Sequence, residues 1–377
     1  MGAINRWAWV EVDLEAIRQN VGLICRNAGT AQVWATVKAN AYGHGAVEVA
    51  KVAQSAGAKG FCVALADEAH ALREAKISGP ILVVSEQPES QFEQMLRDEV
   101  VATVYNETTI AKYASAAKKI GVVGAVHLKI DTGMHRVGTP ATSAMARVEQ
   151  IISLPEIKLE GVYTHFATAD LLQHTETEKQ LKLFNQIVGE LERRNLRPKF
   201  VHTSNSAASL RNLNSSTDIL RVGIAIYGVA PSLELEAISS GLKPALSLHA
   251  QVSHVQRLSA GDGISYGLRT KLDRDATIAT LPLGYADGVP RRLWSVGGEV
   301  LIGGKRCPIV GVVTMDQMMV NCGDAVANIG DYAVLIGTQL TQRITANEIA
   351  DKLDTIGYEI VCGLSSRLPR KYVDQKK

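Results

Sequence analysis

Val33-Trp-Ala-Thr-Val-Lys-Ala-Asn-Ala-Tyr-Gly-His-Gly45 decides how the fold is read. A β-branched run at 33–37 ends at a lysine, and a glycine-punctuated turn follows at once. A buried parallel strand and the loop that leaves its C-terminal end have this texture. Working outward, the unit recurs. Runs at 60–64, 81–85, 101–105, 126–130, 158–164, 200–203 and 219–222 bring the candidate strands to eight. Helical patterns lie between most of them. Asp13 is placed to cap a helix with the apolar face Leu14, Ile17, Val21 and Ile24. Asn106 is placed to cap the helix after the fourth strand, and Thr175 with Glu178 reads as a capping box. Eight strand–helix units predict a parallel (β/α)8 TIM barrel over residues 13–240. An open doubly wound sheet is the alternative, but the chain has no G-x-G-x-x-G to mark its dinucleotide crevice.

Beyond about residue 240 the texture changes to short alternating runs separated by Gly and Asp turns. They lie at 246–258, 277–281, 299–302, 308–313, 318–321, 332–336 and 359–362, with one helix capped by Thr345 and Glu348. This predicts a mostly antiparallel β domain. A strand-like stretch at 7–12 precedes the barrel and is assigned to it, so the β domain comprises 1–12 plus 241–377.

The 377 residues carry 40 Lys+Arg against 38 Asp+Glu, a net charge of +2, which argues against a nucleic-acid or polybasic membrane-surface role. No apolar run is long enough for a spanning helix. The start lacks the apolar core of a signal peptide, so a cytoplasmic location is expected. The five cysteines have no C-x-x-C spacing, which predicts reduced thiols and no metal site.

A barrel carries its chemistry at the C-terminal ends of its strands. Here those ends read Lys38, Lys129 followed by Asp131 to Arg136, His165, His202 followed by Asn205 and Ser206, and Arg221 followed by Gly223 and Ile224. A lysine among other cations can lose its proton near neutral pH and attack a carbonyl carbon. Taken alone, Lys38 reads first as a salt-bridged surface lysine; the adjacent Tyr42-Gly43-His44-Gly45 turn shifts the reading toward chemistry. The loops after strands seven and eight are a common phosphate site. Asn205-Ser206 and Arg221-x-Gly223-Ile224 suit one, although a helix cap and a packing glycine would have the same sequence. An imine-forming lysine beside a phosphate cup suggests pyridoxal 5'-phosphate.

From end to end the chain resembles the alanine racemases, a fold-type III pyridoxal-phosphate family. Seven motifs carry the resemblance: 37–45, 129–138, 164–170, 205–208, Ser265-Tyr-Gly267, Leu283-Gly-Tyr-Ala-Asp-Gly288 and Met315-Asp-Gln317. The resemblance implies a homodimer with shared sites that interconverts L- and D-alanine and supplies D-alanine for peptidoglycan. Lys38 would hold the cofactor and act as one base. Tyr266, from the partner subunit, would be the second, with His165 and nearby cations easing its ionisation. Tyr42, Asn205, Ser206, Gly223 and Ile224 would surround the phosphate, and Arg221, backed by His202, would face the pyridine nitrogen. Arg136 and the backbone of Met315 would bind the substrate carboxylate. Lys129 would be N-carboxylated, Asp316 would support the site, and Tyr285, Asp287 and Arg291 would line the entrance. His44 reads as structural.

Two departures bear on selectivity: Ser366 stands where some relatives place a phosphate-touching tyrosine, and Val312 where some carry an arginine in the entry corridor. They motivate a second reading, a broader or serine-preferring racemase. A third is a non-catalytic pyridoxal-phosphate carrier, which would have no use for Tyr266.

Overall fold

The computed structural model describes residues 6–213 and 217–374. Eight parallel strands form the barrel in the order Ile219–Val222, Gln32–Thr36, Gly60–Val63, Ile81–Val83, Val101–Val104, Gly124–Asp131, Ile157–Tyr163 and Phe200–His202. The last and first of that series are joined by two backbone bonds, Asp218 N–H to Val201 O at 2.7 Å and Arg221 N–H to Ser204 O at 3.0 Å. The barrel class expected from the strand count is therefore the observed one.

The barrel interior is graded. Trp34, Cys62, Leu82, Val101, Phe200 and Ile219 fill it as an apolar layer. Polar groups follow: Thr103, His127, Tyr163, His202 and Arg221, all buried. Helices cover the outside. Asp13 caps the helix Leu14–Asn27 by accepting from Ala16 N–H at 3.0 Å. Two other expected caps do not form. Thr175 has helical dihedrals, φ −79° and ψ −12°, which keep its hydroxyl from the free amides. Asn106 is extended, but its side-chain amide donates to Glu86 at 2.5 Å.

The second domain is a twisted sheet in the order His254–Leu258, Ala276–Leu281, Met318–Asn321, Lys305–Val310, Glu299–Ile302, Tyr332–Gln339, Leu246–Gln251, Ala8–Asp13 and Arg370–Val373. The N-terminal strand lies antiparallel to Leu246–Gln251, with Val10 opposite Leu248, and parallel to Arg370–Val373. Thr345 caps the helix Ala346–Leu353 through Glu348 N–H at 3.0 Å.

The stretch expected as a strand at 359–362 is instead a second helix, Gly357–Cys362. Its β-branched content imitated a strand. Its buried positions, Gly357, Ile360 and Val361, with Leu364 just beyond its end, have helical spacing. Gly357 packs so closely on Asn347 that a Cβ would meet Asn347 Oδ1 at 2.1 Å.

Candidate active site

A cavity of about 620 Å³ opens at the C-terminal mouth of the barrel. It brings together ten of the residues singled out from the sequence: Lys38, Tyr42, Lys129, Arg136, His165, Asn205, Ser206, Arg221, Gly223 and Ile224.

Lys38 sits where the first strand gives way to an unusual turn. Ala39, Asn40, Ala41 and Tyr42 have φ between 50° and 54°, a left-handed run of four non-glycine residues. At ~1–2 kcal/mol per residue this conformation costs roughly 4–8 kcal/mol, so it must be held. Glu68 accepts Ala39 N–H at 2.6 Å, and also the N–H groups of Ala64 and Leu65. Asn40 Oδ1 accepts Ala46 N–H at 2.9 Å. The buried His44 bonds through Nδ1 to the carbonyls of Ala41 and Tyr42, both at 3.0 Å. Burial keeps the Lys38 amine below the usual lysine range, and Arg136 lowers it further.

Lys129 rises from the fifth strand. Burial, with Arg136, Arg221 and Lys38 nearby, brings its ammonium down to about 7. Arg136 follows a turn in which Asp131 accepts the N–H groups of Gly133, Met134 and His135 at 3.0–3.1 Å. His165 is held far below the ordinary imidazole range by burial and the same cations.

Arg221 is fixed from below. Its guanidinium donates to His202 Nδ1 at 2.6 Å and to the carbonyls of Thr164 and Thr203 at 2.8 and 3.0 Å. It lies 4.9 Å from the centre of the Tyr163 ring, which in turn stacks on His202 at 4.7 Å. Because arginine only donates, His202 must accept at Nδ1 and carry its proton on Nε2. That proton points at His127 Nδ1, 2.9 Å away. Burial holds both imidazoles neutral, His127 at about 3.

At the opposite wall Ser206 Oγ accepts Gly223 N–H at 2.9 Å. Asn205 Oδ1 accepts Ala208 N–H at 3.0 Å and opens the short helix Ser206–Leu210. Gly223 is required: a Cβ there would meet Tyr42 Oη at 2.5 Å.

Tyr266, Met315, Tyr285 and Asp316 do not reach this cavity. They lie on β-domain loops. Tyr266 is 74% exposed and Met315 53%. Tyr266 follows Ser265, whose left-handed backbone (φ 63°) is anchored by its hydroxyl to Val312 O at 2.8 Å. Asp316 is paired with Arg367 at 2.7 Å.

Two expectations need correction, for Asp287 and for Ser366. Asp287 lines no entrance: it is fully buried, with Gly284 N–H on one oxygen and Arg6 on the other at 2.7 Å. Val312 is buried as well. Ser366 is exposed and does not border the cavity. The phenol on that side is Tyr358, from the helix Gly357–Cys362, with its ring 5.9 Å from that of Tyr42. Tyr358, Tyr163, Glu68 and Cys362 were missed from sequence. The helical spacing of 357–364 was the available signal for Tyr358. For Glu68, whose acceptor role is long-range, there was none.

A closed barrel with a lysine amine and a guanidinium in one cationic mouth, and hydroxyls on its wall, is the architecture of a barrel enzyme with room in its mouth for a small molecule. Residues 12–231 match the family model described as alanine racemase, N-terminal domain, and residues 245–372 the C-terminal domain. The alanine racemase of Carboxydothermus hydrogenoformans is 42% identical over 369 residues, 98% of this chain and 100% of the relative. That of Halothermothrix orenii is 41% identical over 371 residues, covering 98% and 97%. Among solved structures, the Bacillus anthracis alanine racemase with bound L-Ala-P superposes with a TM-score of 0.94 at 40% identity, covering 100% of this chain and 97% of that one. The Streptomyces lavendulae enzyme gives 0.95 at 34%, covering 99% and 98%. The chain belongs to the alanine racemase family and is an amino-acid racemase, an isomerase.

Proposed function

We propose that this racemase interconverts L- and D-alanine with pyridoxal 5'-phosphate bound in the barrel mouth, as a homodimer whose two sites are each built from both subunits. The residues fit that group. Lys38 presents a half-buried amine held below the usual lysine range. Tyr42, Ser206 and the backbone at Gly223 and Ile224 converge on one wall, with space there only because residue 223 lacks a Cβ. Bound through Lys38, the cofactor supplies an electron-withdrawing ring that acidifies the substrate Cα–H.

The remaining work falls to the chain's own groups. Lys38 removes or returns the proton on one face of Cα. Arg136 binds the substrate carboxylate, together with the main chain of Met315 of the partner subunit. Arg221, held by His202, would be the residue beside the ring nitrogen; a guanidinium only donates and has no carboxylate to offer, so it would favour an unprotonated nitrogen there. Tyr358 narrows the phosphate end of the cavity where Ser366 was expected to leave room, which favours the small side chain of alanine over serine. Lys129, with a free amine accessible near neutral pH, is suited to N-carboxylation, which would set an anion beside Arg136.

The observation that carries the shared-site reading is the position of Tyr266. Racemisation needs a base on each face of Cα. The cavity of a single chain holds Lys38 but not Tyr266, which projects, exposed, from the other domain. A second copy supplies it. A carrier of the cofactor would need neither this tyrosine nor the loop that presents it.

The test is direct. Purified protein loaded with pyridoxal phosphate is given L-alanine, and the products are separated by chiral chromatography. D-Alanine should accumulate until the two enantiomers are equal; a yellow protein that makes none would support the carrier instead. We further propose that the reaction is cytoplasmic and feeds peptidoglycan. Expression in a bacterium that requires D-alanine should restore growth without the supplement.

A further inference from the structure

We propose that Cys307 and Cys322, on the β domain, form a thiol–disulfide exchange site: a reduced pair that small disulfides convert reversibly to a cross-strand disulfide. The geometry rests on strand register. Lys305–Val310 and Met318–Asn321 run antiparallel with Ile309 opposite Val320 and Val310 opposite Met319. Continued two residues further, that register would bring Cys307, inside the first strand, level with Cys322, the residue that follows the second. Opposed residues of an antiparallel pair have Cα atoms ~4.5–5.5 Å apart. That lies inside the ~4.4–6.8 Å that a disulfide spans.

The two thiols are also unequal. Cys307 Sγ donates to Lys305 O at 3.8 Å. The neighbouring Cys307 thiol draws the Cys322 thiol below the usual range, while Cys322 and burial push Cys307 up. Both border a cavity of about 400 Å³ that opens to solvent, with Lys305, Asp331, Tyr332 and Gln339 on its walls. Cys307 is only 4% exposed, so a reagent entering the cavity meets Cys322 first. Among the described residues no group of three metal-binding side chains exists, so a metal-ion reading has no third ligand.

The chemistry balances with a low-molecular-weight disulfide as oxidant. The Cys322 thiolate attacks one sulfur and expels the first small thiolate, leaving a mixed disulfide. Cys307 then loses its proton to solvent and attacks Cys322 Sγ, expelling the second. Two protein thiols are oxidised, and one external disulfide is reduced to two thiols.

The cofactor-loaded protein is incubated with oxidised glutathione, then unfolded, alkylated and weighed. Two of the five thiols should be lost, peptide mapping should join 307 to 322, and dithiothreitol should restore both. In Cys307→Ser the reaction should stop at glutathione on Cys322; Cys322→Ser should form no internal disulfide. Retention of all five thiols in excess oxidised glutathione, a disulfide mapped elsewhere, or wild-type protein that halts at the mixed disulfide would each overturn the proposal. The wild-type readout needs no variant to fold.

Discussion

The barrel mouth and the rim of the β domain contribute to one proposed site in opposite ways. The mouth is complete within a single chain. Lys129 and Arg221 are buried there, and the mouth is braced, Arg221 by four acceptors and the Lys38 turn by Glu68, Asn40 and His44. At the rim the side chains face outward while the backbone beneath is held hard. Buried Asp287 ties Arg6 and Arg367 under the loop of Tyr285, and Ser265 is pinned to Val312. Exposed side chains on a rigid backbone suit a surface that is finished by another copy. The difference teaches that preorganisation is needed on both sides, but burial only where cofactor and substrate would sit.

The strongest way to break this contrast is to remove one base from each region and mix the chains. Lys38→Ala should abolish the yellow absorbance and lower racemisation about 10⁴-fold, and Tyr266→Phe should lower it by ~10²–10⁴ with the absorbance kept. After unfolding and refolding together in equal amounts, the two variants should regain about a quarter of wild-type activity. Half of the dimers are then mixed, and each of those has one intact site. No recovery, with dimers shown to mix, would place both bases in one subunit.

Tyr358→Ala tests the mouth on its own. The ratio of kcat/KM for serine to that for alanine should rise about tenfold or more as the cavity widens. Ser366→Tyr should leave the ratio unchanged. Equal effects at the two positions would restore Ser366 as the determinant.

Asp287→Asn tests the rim on its own. The buried charge goes, but Arg6 and Arg367 are partly exposed, so the loss is about 2 kcal/mol in urea unfolding. Racemisation should fall while the absorbance of the bound cofactor persists. A variant that loses cofactor with its activity would show that the two regions are not separable.

The smallest effect concerns Lys129. Its folded-state pKa, about 7, lies below the ~10.4 of an exposed lysine. Between these values the unfolded chain binds more protons, so stability rises with pH across that window. Below about 7 both states are protonated and the penalty of the buried charge is full. Lys129→Met should therefore be more stable than wild type near pH 6, with the advantage shrinking toward pH 10, in denaturant midpoints at each pH. N-carboxylation would reduce the difference when bicarbonate is present, and ¹³C-bicarbonate NMR should show the carbamate in wild type alone.

The sequence by itself determined the barrel, because eight β-branched runs alternating with helical periodicity admit few other packings. It also determined the residues of the mouth, because in such a barrel each strand end delivers its next residue to the same rim. It misread 359–362, where Ile and Val content outweighed the period of a helix only six residues long, and it misplaced the phenol, choosing Ser366 over Tyr358. The tertiary structure alone decided the rest. Asp287 looked like an entrance residue and is buried, since its ion partner Arg6 lies far away in sequence. The left-handed turn after Lys38 has no propensity signal; it exists because Glu68, from another strand–helix unit, holds its amides. That Tyr266 stands apart from the cavity of its own chain is likewise set by how the two domains are placed. Local patterns fix elements and strand ends, whereas burial, ion pairing and the distance between domains depend on contacts the sequence does not display.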